Sequence, residues 1–294
     1  MFSVTPQDLP VKKFYGLIAS SVGPRPIALA STISQKGIPN LTPFSCFNFF
    51  GAYPPVLVFS PMRRISDGTT KDSLRNVEEV KEVVINVVNH NIVQQSSLAS
   101  TDYPEDINEF DKVGLTMVDS DLVRPKRVEE SPVQFECKVR DIISVGEEGG
   151  AANLVICEVI KIHIKEEVLY GDNKIDQHKL DQVGRMGGSW YSRAAPGMFE
   201  LPKPIGILGM GVDQLPKDIR TSEILTGSDL AKLGGIEKPP ELETAEKYIS
   251  ENNLEDFINS STIEEIHLQA QKYLNKGEVY EAWSLLLAKT VKTI

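Results

Sequence analysis

The sequence is poor in the residues that announce most kinds of chemistry. Its three cysteines among 294 residues, Cys46, Cys137 and Cys157, are odd in number and far apart. No CxxC pair occurs, so zinc and thioredoxin-type chemistry have no motif here. Three reduced, buried thiols are expected. A Cys137–Cys157 bridge is open only if their strands pair, and a reducing compartment disfavours it. Positive charge is scarce too: 31 Lys and Arg face 41 Asp and Glu, a formal net charge of -10. That balance argues against nucleic acid or an anionic membrane as the main partner, because both need a basic face to displace counterions. An anionic cofactor stays possible, since a phosphate needs only a few local donors. No apolar run approaches the roughly 20 residues of a membrane span, and the first residues lack a charged-then-apolar leader pattern. A cytoplasmic protein is expected.

Motifs for phosphate and for nucleophilic catalysis are missing as well. There is no GxxxxGK[ST] loop and no GxSxG elbow. The string Gly206-Ile207-Leu208-Gly209-Met210-Gly211 carries its glycines in the reverse order of the dinucleotide fingerprint and has no strand before it, so it reads as a loop. The four histidines, His90, His163, His178 and His267, are scattered, and His163 sits inside a strand pattern as a structural or surface residue. No catalytic side chain and no metal site is therefore named. Either the protein only binds a ligand, or a cofactor carries the chemistry.

What is present is a series of strands. Pro26–Thr32, Pro55–Ser60 and Glu82–Asn89 are short apolar runs bounded by turn residues. Val133–Arg140 alternates apolar and polar residues, which predicts one face on a core and one in water. Gly149-Gly150 leads into Leu154–Ile164, where Ile156, Ile160, Ile162 and Ile164 are expected to share a face. These antiparallel signals predict a barrel. One helix interrupts them: Leu74, Val77 and Val80 recur at helical spacing after a start capped by Thr70 or Asp72. Beyond residue 196 Gly, Pro and Leu dominate up to Pro239-Pro240. Two helices are then expected, the first opened by the Thr262/Glu265 capping box and lined by Ile263, Ile266, Ala270 and Tyr273. Gly277 ends it, and Val279, Ala282, Trp283 and Leu286 continue as the second.

The stretch Gly23-Pro24-Arg25-Pro26-Ile27-Ala28-Leu29-Ala30-Ser31-Thr32 leads to Gly37, Asn40, Thr42-Pro43-Phe44-Ser45 and Phe47-Asn48. Pro54-Pro55, Lys71-Asp72-Ser73-Leu74-Arg75-Asn76, Val83-Val84-Ile85-Asn86 and Gly187-Gly188-Ser189-Trp190-Tyr191 follow in order. Over residues 10–195 this resembles the flavin reductase-like family. Ile219–Gly227 is also similar to longer members, while the final helical hairpin has no recognised counterpart. The resemblance implies a mainly β protein: an FMN-binding split barrel at 10–195, an extended linker at 196–240 and a C-terminal helical extension at 241–294. It also implies a homodimer, electrons drawn from NAD(P)H, and release to an acceptor protein or a monooxygenase. A flavoredoxin-like carrier and a non-enzymatic flavin-binding module remain alternatives.

Ser31, Thr32, Asn40, Thr42, Ser45 and Asn48 are donors and acceptors that do not titrate near neutrality, which suits the pyrimidine edge of a flavin; filling turns is their common alternative role. Lys71 and Ser73, at a helix start, suit the FMN phosphate, with Asp72 as cap. Arg25 is placed against phosphate or ring, or in a salt bridge. Trp190 and Tyr191 are open between stacking on flavin or nicotinamide and packing at a dimer interface.

Overall fold

The computed structural model describes residues 1–201, 206 and 208–292, with side chains to residue 289. Two compact units divide at Phe199/Glu200.

The first unit, Met1–Phe199, is built on one antiparallel sheet. Helix α1 (Val11–Ser21) precedes strands β1 (Ala28–Ile33), β2 (Pro39–Phe44), β3 (Phe47–Ala52) and β4 (Pro55–Phe59). Helix α2 (Asp72–Val80) and β5 (Glu82–Val87) come next, then α3 (Val93–Leu98) and α4 (Glu109–Val113). The two-residue strands β6 (Met117–Val118) and β7 (Arg127–Val128) pair with each other. The long hairpin of β8 (Val133–Ser144) and β9 (Asn153–Ile164) follows, then the small pair β10 (Leu169–Tyr170) and β11 (Lys174–Ile175), helix α5 (Gln177–Leu180), and the pair β12 (Val183–Arg185) and β13 (Tyr191–Arg193).

The seven main strands run in the order β2-β1-β5-β8-β9-β4-β3. Its two edges, β2 and β3, are joined by Ser45 and Cys46 alone. Consecutive Cα atoms are about 3.8 Å apart, so two residues can bridge the edges only if the sheet curls back on itself. That is a split barrel, and its seam lies at Ser45-Cys46.

Strand β1 is buried over its whole length because it is covered on both faces. Ala28, Ala30, Phe44, Phe59, Leu74 and Val77 contribute to the barrel core, so α2 plugs the barrel with the Leu74/Val77 stripe. Phe44 and Phe59 meet there with ring centroids 5.3 Å apart. Leu29, Leu41, Ile92 and Phe110 fill a second core outside the same strands.

Several sequence expectations shift. In β9 the core takes Val155 and Cys157, not the isoleucine set, and Ile162 is exposed. Both faces of this strand carry apolar residues, so burial goes to the face that the β4 and β8 registers turn inward. In β8 the core face is as expected, but Gln134 and Glu136 on the opposite face are buried as well. The segment from Asp119 to Ser131 covers them: Glu136 accepts from the Asp121 and Leu122 amides at 2.9 and 2.6 Å, and Gln134 donates to the Val128 and Ser131 carbonyls, each at 2.9 Å. Lys71, not Thr70 or Asp72, is the cap residue of α2, and no described side chain caps that helix.

All three cysteines are free. The strands of Cys137 and Cys157 do pair, but Cys137 stands opposite Val159 and Cys157 opposite Val139. Burial pushes the Cys157 thiol up to about 12 and raises Cys137 likewise. Cys46 is only half-buried.

The second unit, Glu200–Ile294, holds α6 (Lys217–Arg220), α7 (Gly227–Gly234), α8 (Leu242–Glu251), α9 (Glu255–Ser260), α10 (Ile263–Lys276) and α11 (Val279–Lys292). Among the described residues four helices thus follow Pro240, where two were expected. Residues 196–240, expected as a linker, supply Leu215, Ile219, Leu225 and Leu233 to the same core as Ile266, Leu274 and Trp283. The Trp283 indole donates to the Leu233 carbonyl at 3.1 Å, tying the supposed linker to the hairpin. On α10 the buried stripe is Ile266, His267, Ala270 and Leu274, with Ile263 exposed. Within the glycine string, Ile207 lies outside the described residues. Gly209 packs so closely that a Cβ would sit 2.9 Å from the Gly234 oxygen, and the Gly211 amide donates to that oxygen at 2.9 Å. These glycines serve backbone approach.

Candidate flavin site at the barrel seam

Lys71 and Arg64 form the cationic end of the site. Arg64 is held by the Thr69 hydroxyl at 3.1 Å and the Thr70 carbonyl at 2.7 Å. Asp102 Oδ1 lies 3.0 Å from Arg64 Nη2 and 3.6 Å from Lys71 Nζ. The Arg64 hydrogen bond, aided by both positive charges, holds the Asp102 carboxyl below its ordinary value. Asn40, Thr42, Asp72, Ser100 and Glu109 complete a small polar cavity of about 20 Å³ around these groups.

Asn40 is the hub behind that cavity. Its Oδ1 accepts from Ser73 at 2.8 Å, Thr32 at 3.2 Å and Thr42 at 3.5 Å. Its Nδ2 donates to Glu109 Oε1 at 2.7 Å, and Glu109 Oε2 accepts from the Leu41 amide at 3.1 Å. Burial raises the Glu109 carboxyl above its usual range despite these donors. The cluster exists because Thr32 and Asn40 are cross-strand partners on β1 and β2, while α2 brings in Ser73 and α4 brings in Glu109.

A second cavity of about 180 Å³ shares Ser100 with the first. Pro43, Ser45, Ser96, Ser97, Arg185 and Tyr191 line it. The Arg185 guanidinium lies 4.6 Å above the Tyr191 ring. A third cavity of about 380 Å³ shares Ser45 with the second. Its wall is mostly apolar: Tyr15, Ile18 and Val22 of α1 and its exit, with Phe47, Phe50 and Leu154. Cys46 of the seam and Asn48 of β3 line it as well. Three adjoining cavities thus run from a cation pair, past serine hydroxyls, to an apolar hollow.

Of the ten residues expected at a flavin, Thr32, Asn40, Thr42, Lys71 and Ser73 come together at the polar end. Only Asn40, Thr42 and Lys71 line the cavity there. Thr32 and Ser73 are fully buried, and their hydroxyls are committed to Asn40, so they hold the wall. Ser31 is fully buried with an unpartnered hydroxyl and lines none of the three cavities. Ser45 lies at the junction of the second and third cavities, and Asn48 lines the third.

Arg25 makes no salt bridge among the described residues. It is a clamp: its guanidinium donates to the Ala19, Val22 and Met186 carbonyls at 2.5, 2.6 and 3.1 Å and to Ser45 Oγ at 3.4 Å. A cation on the last carbonyls of α1 meets the negative end of that helix. Trp190 lies outside all three cavities, whereas Tyr191 lines the second. Successive side chains of an extended segment point to opposite sides, so only one of the two can face the cleft. Gly187 before them lets α1 approach: a Cβ there would lie 2.8 Å from the Ser20 Cα.

Sequence reasoning missed Arg64, Asp102, Glu109 and the serines of α3 and the turn after it. The spacing Ser96, Ser97, Ser100 was the available signal for the last group. Arg64 carried none, because only its loop brings it to Lys71.

Residues 21–179 match the flavin reductase like domain family. The chain belongs to that family. An uncharacterized protein of Halalkalibacterium halodurans is 36% identical over 203 residues, which cover 68% of this chain and 96% of that one. Two solved structures are each 28% identical: nitrilotriacetate monooxygenase component B of Bacillus cereus and 2-nitrobenzoate 2-nitroreductase NbaA of Pseudomonas fluorescens. The first has a TM-score of 0.64 and covers 68% of this chain and 98% of its own. The second has a TM-score of 0.63 and covers 71% of this chain and 100% of its own. The split-barrel fold and a flavin-related oxidoreductase function follow from this membership. No described helix is long and apolar enough to cross a membrane.

Proposed function

We propose that the seam groove binds FMN and that the protein is a cytoplasmic NAD(P)H-dependent flavin reductase. The carrying observation is the series of adjoining cavities: cations at one end, hydroxyls in the middle, a ring-sized cleft at Ser45. That is the order of phosphate, ribityl chain and isoalloxazine along FMN. Arg64 and Lys71 would take the phosphate, with the start of α2 adding its partial positive charge. Asn40 and Thr42 would border the phosphate, and Ser96, Ser97 and Ser100 would meet the polyol. Pro43, Ser45 and Tyr191 would border the ring.

Bound there, FMN would supply the hydride-accepting chemistry that no described side chain offers. The chain's own part is orientation and exclusion of water. Arg25 fixes Ser45, and the Asn40 cluster fixes Thr42 and the polar wall, so the groups around the groove are set before a ligand arrives. The polar cavity has room for little more than one water. A phosphate therefore enters only when the exposed Asp102 side chain swings away.

The test is spectral. Purified protein should bind FMN at least tenfold more tightly than riboflavin, and NADH or NADPH should bleach the bound flavin anaerobically. Equal affinity for the two flavins removes the phosphate assignment. Bound FMN that neither nicotinamide reduces favours a flavoredoxin-like carrier instead.

A homodimer formed by the barrel is part of this proposal. Phe49 and Tyr53 stand exposed on and beside the edge strand β3, and Trp190 is exposed as well. Exposed aromatic side chains are enriched at interfaces. The monooxygenase component among the similar structures favours a partner monooxygenase as the electron acceptor.

A further inference from the structure

The apolar third cavity is larger than the ring-sized cleft and shares Ser45 with it. We propose that it is a separate binding site for a neutral, planar, one- or two-ring aromatic molecule bearing a hydrogen-bond acceptor such as a carbonyl. The site itself rests on this cavity alone; its meaning as the seat of the second substrate rests on the flavin reading above.

Three observations select that ligand class. Volume comes first: about 380 Å³ lies within the range of small-molecule sites. The wall offers the Tyr15, Phe47 and Phe50 rings together with Ile18 and Leu154, a lining suited to a flat apolar body.

The second observation is Ser60. It lines this cavity at the end of β4, is 7% exposed, and its Oγ has no hydrogen-bond partner. A buried hydroxyl left without a partner is costly, so native proteins rarely keep one without a use. Its χ1 has three staggered wells, which lets the hydroxyl turn toward an arriving acceptor atom.

Third, the polar groups around the hollow favour a neutral occupant. Arg25 is the cation at this wall, and its Nε, Nη1 and Nη2 groups already donate to Ser45 and to three carbonyls. Two of those carbonyls belong to the negative end of α1. Burial raises the Cys46 thiol above its ordinary value, even though Arg25 pulls it down, so it stays protonated at neutral pH. A ligand carboxylate would be stripped of water without a dedicated ion partner, which is costly in an apolar site.

The experiment uses the full-length protein without added flavin, titrated calorimetrically with 2-acetylnaphthalene and, separately, with 2-naphthoate. The neutral ketone should bind at least tenfold more tightly than the carboxylate. Ser60→Ala should weaken the ketone about fivefold or more. Ile18→Trp, at a half-exposed α1 position that lines the cavity, should block it while FMN affinity stays within twofold. No ketone binding, equal affinity for the carboxylate, or an unchanged Ser60→Ala variant overturns the proposal. Ketone binding by a protein that does not bind FMN would refute the flavin reading and leave this site standing.

Discussion

Asp102 Oδ1 sits 3.0 Å from Arg64 Nη2 and also within ion-pair range of Lys71, so one exposed carboxylate holds both cations proposed for the flavin phosphate. Asp102 therefore competes with the ligand. Asp102→Asn should raise FMN affinity about three- to tenfold and leave riboflavin affinity unchanged. Arg64→Ala and Lys71→Ala should each lower FMN affinity about tenfold, again without touching riboflavin. Paired titrations with the two flavins read all three effects, and they should shrink at high salt because Asp102 is exposed and both cations are partly so.

Asn40 has no substitute. Alanine there would strip buried Ser73, Thr32 and Glu109 of a shared partner. A loss of roughly 2–3 kcal/mol is expected from the stranded groups, measured as a shift of the denaturation midpoint. Ser73→Ala removes one donor only and should cost less than half as much.

Glu136 predicts acid sensitivity. Burial alone would raise its carboxyl, but the Asp121 amide, His163 and the Leu122 amide together bring it below the ordinary value. A carboxyl lowered in the folded state contributes stability that is fully present above the unfolded value, about 4.3. That contribution is lost as pH falls through the lower folded value. Between neutrality and about pH 5 the Glu136 contribution should be flat. Below that, wild type should lose stability faster than Glu136→Gln in chemical denaturation at stepped pH.

Truncation should separate the two units only at their own boundary. A chain ending at Phe199 should fold and bind FMN as tightly as the full chain. A chain ending at Pro240 keeps Leu215, Ile219, Leu225 and Leu233 without the helices that bury them. It should aggregate or expose dye-binding surface. In the full chain, Trp283→Ala should cost the second unit about 3–5 kcal/mol and leave flavin titration unchanged.

The proposed dimer is tested on β3. Phe49→Glu places a charge on the exposed edge and should convert a dimer to monomer by light scattering. Unchanged mass in that variant and in Tyr53→Glu would move the interface elsewhere.

The barrel strands and α2 were legible because β-branched runs and the Leu74/Val77 spacing are local signals. The polar pair Thr32/Asn40 was legible as chemistry, but its buried, inward-facing role needed the β1–β2 register. The inward face of β9 was not legible, since apolar residues occupy both faces and only pairing with β4 and β8 decides between them. Glu136 looked solvated because nothing in an alternating pattern shows that Asp119–Ser131 folds over it. Helix α1 escaped notice: it buries no residue of its own, and its apolar side chains wall a cavity.

The link between β2 and β3 has a consequence for how such proteins can vary. Ser45 borders two cavities only because two residues span the edges. One residue more would let the edges part and turn Ser45 away from one hollow. One residue fewer would strain the closure. Length at this point is a ruler for the whole groove, so lineages are expected to change the side chains around the seam freely while leaving its spacing alone.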